Sequence, residues 1–371
     1  LLSRVKTLKE INLEFIAVES NSFHLDLKSC LPLLYGSNPS RELPSIVARK
    51  LATACITLNE HPCIRYQAGS PLSKEIATIL NEMLLNYRKS NPRGSFNGDD
   101  SQGERERAQL LLVDRSFDPL SPFMHEYSYQ AMTYDLLDIE NENVISYSTT
   151  NNKGENDFKK AILGEQDELW VELRHDHIAM VIDKLRTRMK DMLENNSGAA
   201  LAAGKGKELS ISSMADAVKQ LPEFKQTMGK LSQHIAIAQQ CMDMFSTQKL
   251  MELSNCEQTI STGQDEAGSD VKGSKLLNLV VETLKSLRGS KSLKKRIIAI
   301  YIASQRSATV QDIGTLMDAA GLGPNEQRFI QNLDILVKKS AKTTVEAGKG
   351  GLFSTIFGSR RPSVKIPPTA E

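Results

Sequence analysis

Asp114 is the residue best placed for chemistry, because it ends the apolar run Gln109-Leu110-Leu111-Leu112-Val113-Asp114. A carboxylate at the end of such a strand is where α/β enzymes keep a phosphotransfer nucleophile. Aspartate-based phosphatases want a second carboxylate two residues on as general acid; here that position is Ser116, and Asp118 lies beyond a turn. The structural reading has Asp114 hydrogen-bonding the turn from Arg115 to Pro119 and pairing with Arg115. His175 and His177 form a His-x-His pair. On a helix, residues two apart point about 200° apart and cannot share one ion, so the pair is expected on a helix surface or at an interface, with no metal site. Gly204-Lys205-Gly206-Lys207 and Gly348-Lys349-Gly350-Gly351 lack the GxxxxGK[ST] spacing and the strand and helix that would aim backbone amides at a phosphate. They read as linkers. With no Ser/His/Asp or Cys/His arrangement to argue for, no catalytic residue and no cofactor is expected. An interaction protein is the leading class.

The elements that must position these residues are mostly helical. The chain has 371 residues, enough for two or three domains with cores of their own. Its 46 Lys and Arg against 45 Asp and Glu leave a net charge of +1, too little for a general electrostatic claim on nucleic acid or anionic membrane. No apolar run approaches the ~18–20 residues of a membrane-spanning helix. The first residues, Leu1 to Glu14, are charged and amphipathic, without the apolar core of a signal peptide. Five cysteines in no CxxC pair suit a reducing compartment. Together these predict a fragment of a cytoplasmic protein.

Leu43 to Asn59 carries apolar residues at helical spacing with Pro44 in its first turn, and a second helix follows with Ser73 as its cap. Asn91 to Gly103 is a loop rich in Gly, Asn, Ser and Asp, and Leu110 to Val113 reads as a buried parallel strand. Helix, helix, loop and apolar strand make an α/β layer. From Leu169 to Leu193 and from Met214 to Ile260 the period is helical, so a mainly α domain is expected, with four shorter amphipathic helices from Lys275 to Val337. Lys285 to Arg296 carries six basic residues and no acid, a solvated face or a contact for acidic protein or anionic lipid. Gly348 to Glu371 is expected to be a flexible tail.

Within the hairpin, Leu231, Ile235, Ala238, Met242 and Phe245 recur in steps of four and three, a heptad seam of the kind that accepts a partner helix. Either that seam faces outward or both faces belong to the core. Pro222 splits the pattern. It marks a bend or two-state joint, or else opens a new helix at its first turn.

Leu110-Leu111-Leu112-Val113-Asp114-Arg115-Ser116-Phe117-Asp118-Pro119-Leu120-Ser121-Pro122, followed by His125-Glu126-Tyr127 and by Tyr129 to Leu137, closely resembles the signature of the syntaxin-binding Sec/Munc (SM) family. Asp167-Glu168-Leu169-Trp170, Leu173-Arg174-His175, His177-Ile178-Ala179 and Leu221-Pro222 fit the same family, and the likeness extends over Leu1 to Val337. It is nearest the exocytic plasma-membrane branch. The resemblance implies a multidomain SM-like arch: an incomplete parallel-sheet α/β domain, then a mainly α domain with a long helical hairpin. The boundaries it suggests are a first-domain tail over 1–27, a second α/β domain over 28–140, helical domain 3a over 141–262 with its hairpin bent near 222, domain 3b over 263–345, and the tail over 346–371.

The function implied is that of a chaperone of SNARE assembly in vesicle docking and exocytosis, binding syntaxin, a synaptobrevin-type vesicle SNARE and the assembled bundle without catalysis, and reaching membranes only through SNAREs. The positions matching the vesicle-SNARE groove are Met189, Lys190 and Ile235, extended along the seam to Leu231 and Ala238. Pro222 matches the hairpin hinge, and Val5, Leu8 and Glu10 match the pocket for the N-terminal peptide of syntaxin. Most of the family's first domain and the closing strands of its second would lie outside these residues, so an exposed strand edge or apolar face is expected. The rival reading is an α/β phosphohydrolase using Asp114, with an accessory helical domain.

Overall fold

The structure, a computed structural model, describes residues 6–337 apart from 8, 10–12, 37, 92–106, 142, 151–155, 196–210, 288–289, 306–307, 324–325, 327, 331 and 334–335. In chain order its elements are β1 (Ile16–Glu19), β2 (Ser22–His24), α1 (Cys30–Tyr35), α2 (Leu43–Thr57), β3 (Cys63–Tyr66), α3 (Pro71–Ser90), β4 (Gln109–Leu112), α4 (Tyr129–Leu136), β5 (Ile139–Glu140), β6 (Val144–Thr150), β7 (Asn156–Ile162), α5 (Glu168–Leu173), α6 (Ile178–Asn195), α7 (Ile211–Thr247), α8 (Leu250–Thr262), α9 (Ser274–Ser286), α10 (Lys291–Ser304) and α11 (Val310–Ala320). They fall into two compact units. One comprises Leu1–Val18, Ser22–Phe123 and Leu284–Glu371, the other Glu19–Asn21 and Met124–Thr283.

In the first unit α2 and α3 pack against one face of a parallel pair. Strands β3 and β4 run in register, with Ile64 beside Leu110 and Tyr66 beside Leu112. Ala48, Ala52 and Cys55 of α2 meet Ile76, Leu80 and Leu84 of α3, and Ile64, Leu110 and Leu112 cover that cluster from the sheet side. Helix α3 starts at Pro71, not beyond Ser73: Ser70 is the cap, its hydroxyl accepting the Ser73 amide, and proline costs nothing at the first position. The expectation of a strand buried on both faces is corrected as well, since Leu111 is 65% and Val113 59% exposed. Alternation puts 110 and 112 on the helix side and 111 and 113 on the other, where no described element covers them.

The basic run folds back on its own unit. Lys294 donates to the Ala320 carbonyl, Arg296 to that of Phe123, and Lys291 pairs with Glu326. Lys294 thereby meets the C-terminal end of α11, where the orphan carbonyls and helix dipole favour a cation, and Gly321 takes the left-handed conformation that closes the helix.

The second unit holds a sheet within the span expected to be helical from 141 onward. Strands β5, β6 and β7 form an antiparallel sheet in that order, with Ile145 opposite Ala161 and Tyr147 opposite Lys159. Ile145, Tyr147 and Ala161 point into the core with Trp170, Leu173, Val181 and Leu185 from α5 and α6 and with Leu231, Ile237, Ala238 and Cys241 from α7. Ile145 and Tyr147 alternate with Ser146 and Ser148, a period-two signal present in the sequence.

Helix α7 is 37 residues long and passes through Pro222 without interruption. Proline at that point therefore does not open a new helix. The side chains from Ile211 to Lys225 lie outside the described residues, as do Val5, Leu8 and Glu10, the Gly204 to Lys207 and Gly348 to Gly351 segments, and the C-terminal tail.

Candidate functional site

Asp114 sits in the first unit, buried, and its carboxylate is filled by its own chain. Tyr35 donates to Oδ1 at 2.7 Å, the Ser116 amide at 2.8 Å and the Ser116 hydroxyl at 2.7 Å. Ser70, the cap of α3, donates to Oδ2. Burial pushes this carboxyl up, but the bonds from Ser70, Ser116 and Tyr35 outweigh burial and hold it below the ordinary aspartate range. Asp114 thus ties α1, the start of α3 and the end of β4 together, and caps the short 3-10 turn Arg115–Phe117. The turn is as expected; the partner is not, because Arg115 reaches the Asp118 carbonyl instead. A cavity of about 720 Å³ lies alongside, lined by Tyr35, Arg41, Ser70, Glu75, Asp114 and Ser116 among others. A carboxylate already accepting four hydrogen bonds is poorly disposed for nucleophilic attack.

His175 and His177 lie in the turn between α5 and α6, not on a helix. His177 Nδ1 accepts the Ala179 amide and its ring tilts toward Tyr127. Among the described residues no three His, Cys, Asp or Glu side chains gather in a way that could hold a metal.

In the second unit, Asp167 caps α5 by accepting the Leu169 and Trp170 amides. Its other oxygen lies 3.2 Å from Nε2 of His234 on α7, and Lys230, one turn earlier, lies 3.8 Å from Oδ1. His234 is fully buried: its Nδ1 is 2.9 Å from the Tyr129 hydroxyl on α4, and the Trp170 ring stacks on it at 13°. Burial alone raises the Asp167 carboxyl, but the His234 bond and charge, with Lys230, bring it below its ordinary value. A second pin joins His125 to Glu257 of α8, Nδ1 to Oε1 at 2.7 Å and the His125 amide to Oε2 at 3.0 Å. Both helices of the hairpin are thereby fixed in register against the body of this unit.

Of the two readings of the seam, these contacts support the buried one at Leu231 and Ala238. Leu231 is 1% and Ala238 2% exposed, both in the core cluster. Heptad spacing describes a face that packs on something, and here that something is α4, α6 and β6 of the same unit. Ile235 and Met189 are half-buried against that core, and Lys190 is exposed. A cleft of about 540 Å³ lies open between α5, α6 and α7. Half-buried Leu169 and Met192 form its apolar floor; among the described residues the buried Leu231 and Glu168, Glu172, Arg188, Asp191, Gln226, Thr227 and Lys230 also line it. Sequence reasoning missed all of these except Leu231, because they come from three helices whose juxtaposition no local pattern encodes.

The profile of the Sec1 family matches residues 1–358. The chain belongs to the Sec1 family. It is 38% identical over 336 residues to "Protein transport protein sec1" of Dictyostelium discoideum, covering 90% of this chain and 54% of that protein. It is 30% identical over 347 residues to "SNARE-interacting protein KEULE" of Arabidopsis thaliana, covering 90% and 50%. The chain spans about half the length of the curated relatives it matches. Among solved structures it superposes on the "Unc18-syntaxin 1 complex from Monosiga brevicollis" with a TM-score of 0.72 at 27% identity, over 100% of this chain and 62% of that one. The structure of Vps45 with the Qa SNARE Tlg2 (1-310) matches with a TM-score of 0.68 at 19% identity over 88% and 56%, a likeness of fold. For this Sec1-family chain Asp114 and Asp167 both lie in stretches that resemble the family's signature, whereas His234 lies outside them. No described helix is long and apolar enough to cross a membrane.

Proposed function

We propose that this chain is part of an SM-type regulator of SNARE assembly in vesicle docking and exocytosis, which binds syntaxin-type and synaptobrevin-type SNARE helices, and their assembled bundle, without catalysis. The observation that carries this reading is the family match along residues 1–358, joined to a solved relative that holds syntaxin 1. A pinned helical hairpin beside an open cleft supplies a physical means: SNARE motifs are amphipathic helices, and an apolar floor between helices accepts such a partner. In this reading Met189, Lys190 and Ile235 contact the vesicle SNARE, with Leu231 beneath them and Ala238 withdrawn into the core. Pro222 is the hinge at which the distal part of α7 bends, since proline removes one hydrogen bond of the ladder there. Val5, Leu8 and Glu10 line the site for the N-terminal peptide of syntaxin, and the domain limits follow the family at 27/28, 140/141, 262/263 and 345/346. The exposed Leu111 and Val113 take a further layer of the second domain. The protein works at the cytoplasmic face of plasma or vesicle membranes, held there by its SNARE partners.

The test is binding of a synaptobrevin-type SNARE motif to the chain and to Ile235→Arg, read by isothermal titration. Binding that is lost in the variant supports the assignment; undiminished binding removes Ile235 from the site, and absence of binding to the parent chain removes the function.

A further inference from the structure

The cleft between α5, α6 and α7 has an uneven supply of charge. Both cations among the described lining residues already have carboxylate partners within the unit. Arg188 Nη2 lies 2.6 and 2.7 Å from the two carboxylate oxygens of Glu172, and Lys230 lies 3.8 Å from Asp167, which His234 also engages. Glu168, on the first turn of α5, and Asp191, on α6, are exposed and form no ion pair among the described residues. They flank an apolar floor made by the half-buried Leu169 and Met192. An occupant must therefore bury an apolar stripe and bring positive charge beside it.

We infer that this cleft selects an amphipathic helix whose apolar stripe is bordered by lysine or arginine, with Glu168 and Asp191 as the selecting residues. The inference rests on the reading of this unit as a binder of SNARE helices and adds the partner's charge to it. Long basic side chains suit the geometry, since their methylene stems lie along apolar surface while the charged heads reach the exposed carboxylates. An acidic helix is disfavoured twice over: it meets Glu168 and Asp191 directly, and to recruit Arg188 or Lys230 it must break a pair already formed. Because both selecting residues are exposed, the preference is screened by salt.

The experiment uses the 371-residue chain with two fluorescein-labelled four-heptad peptides that share leucine at the a and d positions and differ only in carrying lysine or glutamate at the flanking positions. A synaptobrevin-type SNARE motif is measured in parallel. The expected result is binding of the lysine peptide about tenfold or more tighter than the glutamate peptide at low salt, a preference that shrinks as salt rises. In the double variant Glu168→Lys, Asp191→Lys the preference reverses, and in Glu168→Gln, Asp191→Asn it disappears with no charge added. Should the lysine pair unfold the chain, as far-UV circular dichroism would reveal, the amide pair decides. Equal affinities in the parent chain, or an unchanged preference in the amide pair, overturn the inference even where the SNARE motif still binds. A SNARE motif that does not bind while the peptide preference persists overturns the proposed SNARE-binding function and leaves the selectivity of the cleft standing.

Discussion

His234 Nε2 lies 3.2 Å from Asp167 Oδ2, so a single carboxylate that begins α5 also fixes the rotation of α7. Removing one member of a buried hydrogen-bonded pair leaves the other unsatisfied, at a cost of roughly 1–3 kcal/mol, more where a charge is left. Asp167→Ala is expected to lose about that much, including about 1 kcal/mol for the missing cap. His234→Leu is expected to cost less than Asp167→Ala, because Asp167 keeps the α5 amides and Lys230. Urea unfolding of the two single variants and the double variant measures the pair directly: strictly additive losses would show that the two residues do not interact.

The depressed carboxyls of Asp114 and Asp167 make stability depend on acid. A carboxyl whose folded value lies below its unfolded one contributes stability that is fully present above the unfolded pKa of about 4 and is lost as pH falls through the folded value. The contribution of these two carboxyls to the urea midpoint is expected to be flat from neutral pH down to about 5 and to fall below 4. Asp114→Asn should flatten the acid limb while lowering stability at pH 7; an acid limb identical to that of the parent chain would show that Asp114 does not contribute to it.

Core packing and the proposed SNARE contact separate by substitution. Leu231→Ala removes a side chain that is 1% exposed and is expected to cost roughly 2–5 kcal/mol of stability. Ile235→Arg places a charge at a half-buried position and is expected to weaken binding of a synaptobrevin-type SNARE motif more than it lowers the unfolding midpoint. Equal effects on both measurements would make Ile235 a core residue only.

Pro222 lies inside α7, where proline costs a helix about 3 kcal/mol. Pro222→Ala is expected to slow amide exchange on both sides of the position and, with the helix held straight, to raise the rate of SNARE-dependent liposome fusion. Unchanged exchange would show that Pro222 is not a joint.

The cysteines differ in access. Burial raises the Cys241 thiol to about 11 and also raises Cys55 and Cys256, whereas Cys63 is exposed on β3. Iodoacetamide at pH 8 is expected to label Cys63 in the native chain and Cys241 only in urea, as read by peptide mass spectrometry.

What the sequence determined by itself was local or carried by long signatures. The period of Leu43 to Leu58, with Pro44 in the first turn, marks α2; the run at Leu110 marks a parallel strand; and the stretch from Leu110 to Leu137 marks the family. Each is contained within one element or one continuous stretch, so neighbouring residues suffice to read it. The tertiary structure alone decided which way each face turns. A strand exposes every other residue, so Leu111 and Val113 could be assigned to core or surface only once α2 and α3 had taken the other side. The heptad seam of α7 was equally ambiguous, and it turned inward because α4, α6 and β6 of its own unit bury it. Asp167 and His234 are separated by 67 residues, and neither predicts the other by spacing. Burial is a property of what arrives opposite a residue in space, and a linear pattern carries no record of that.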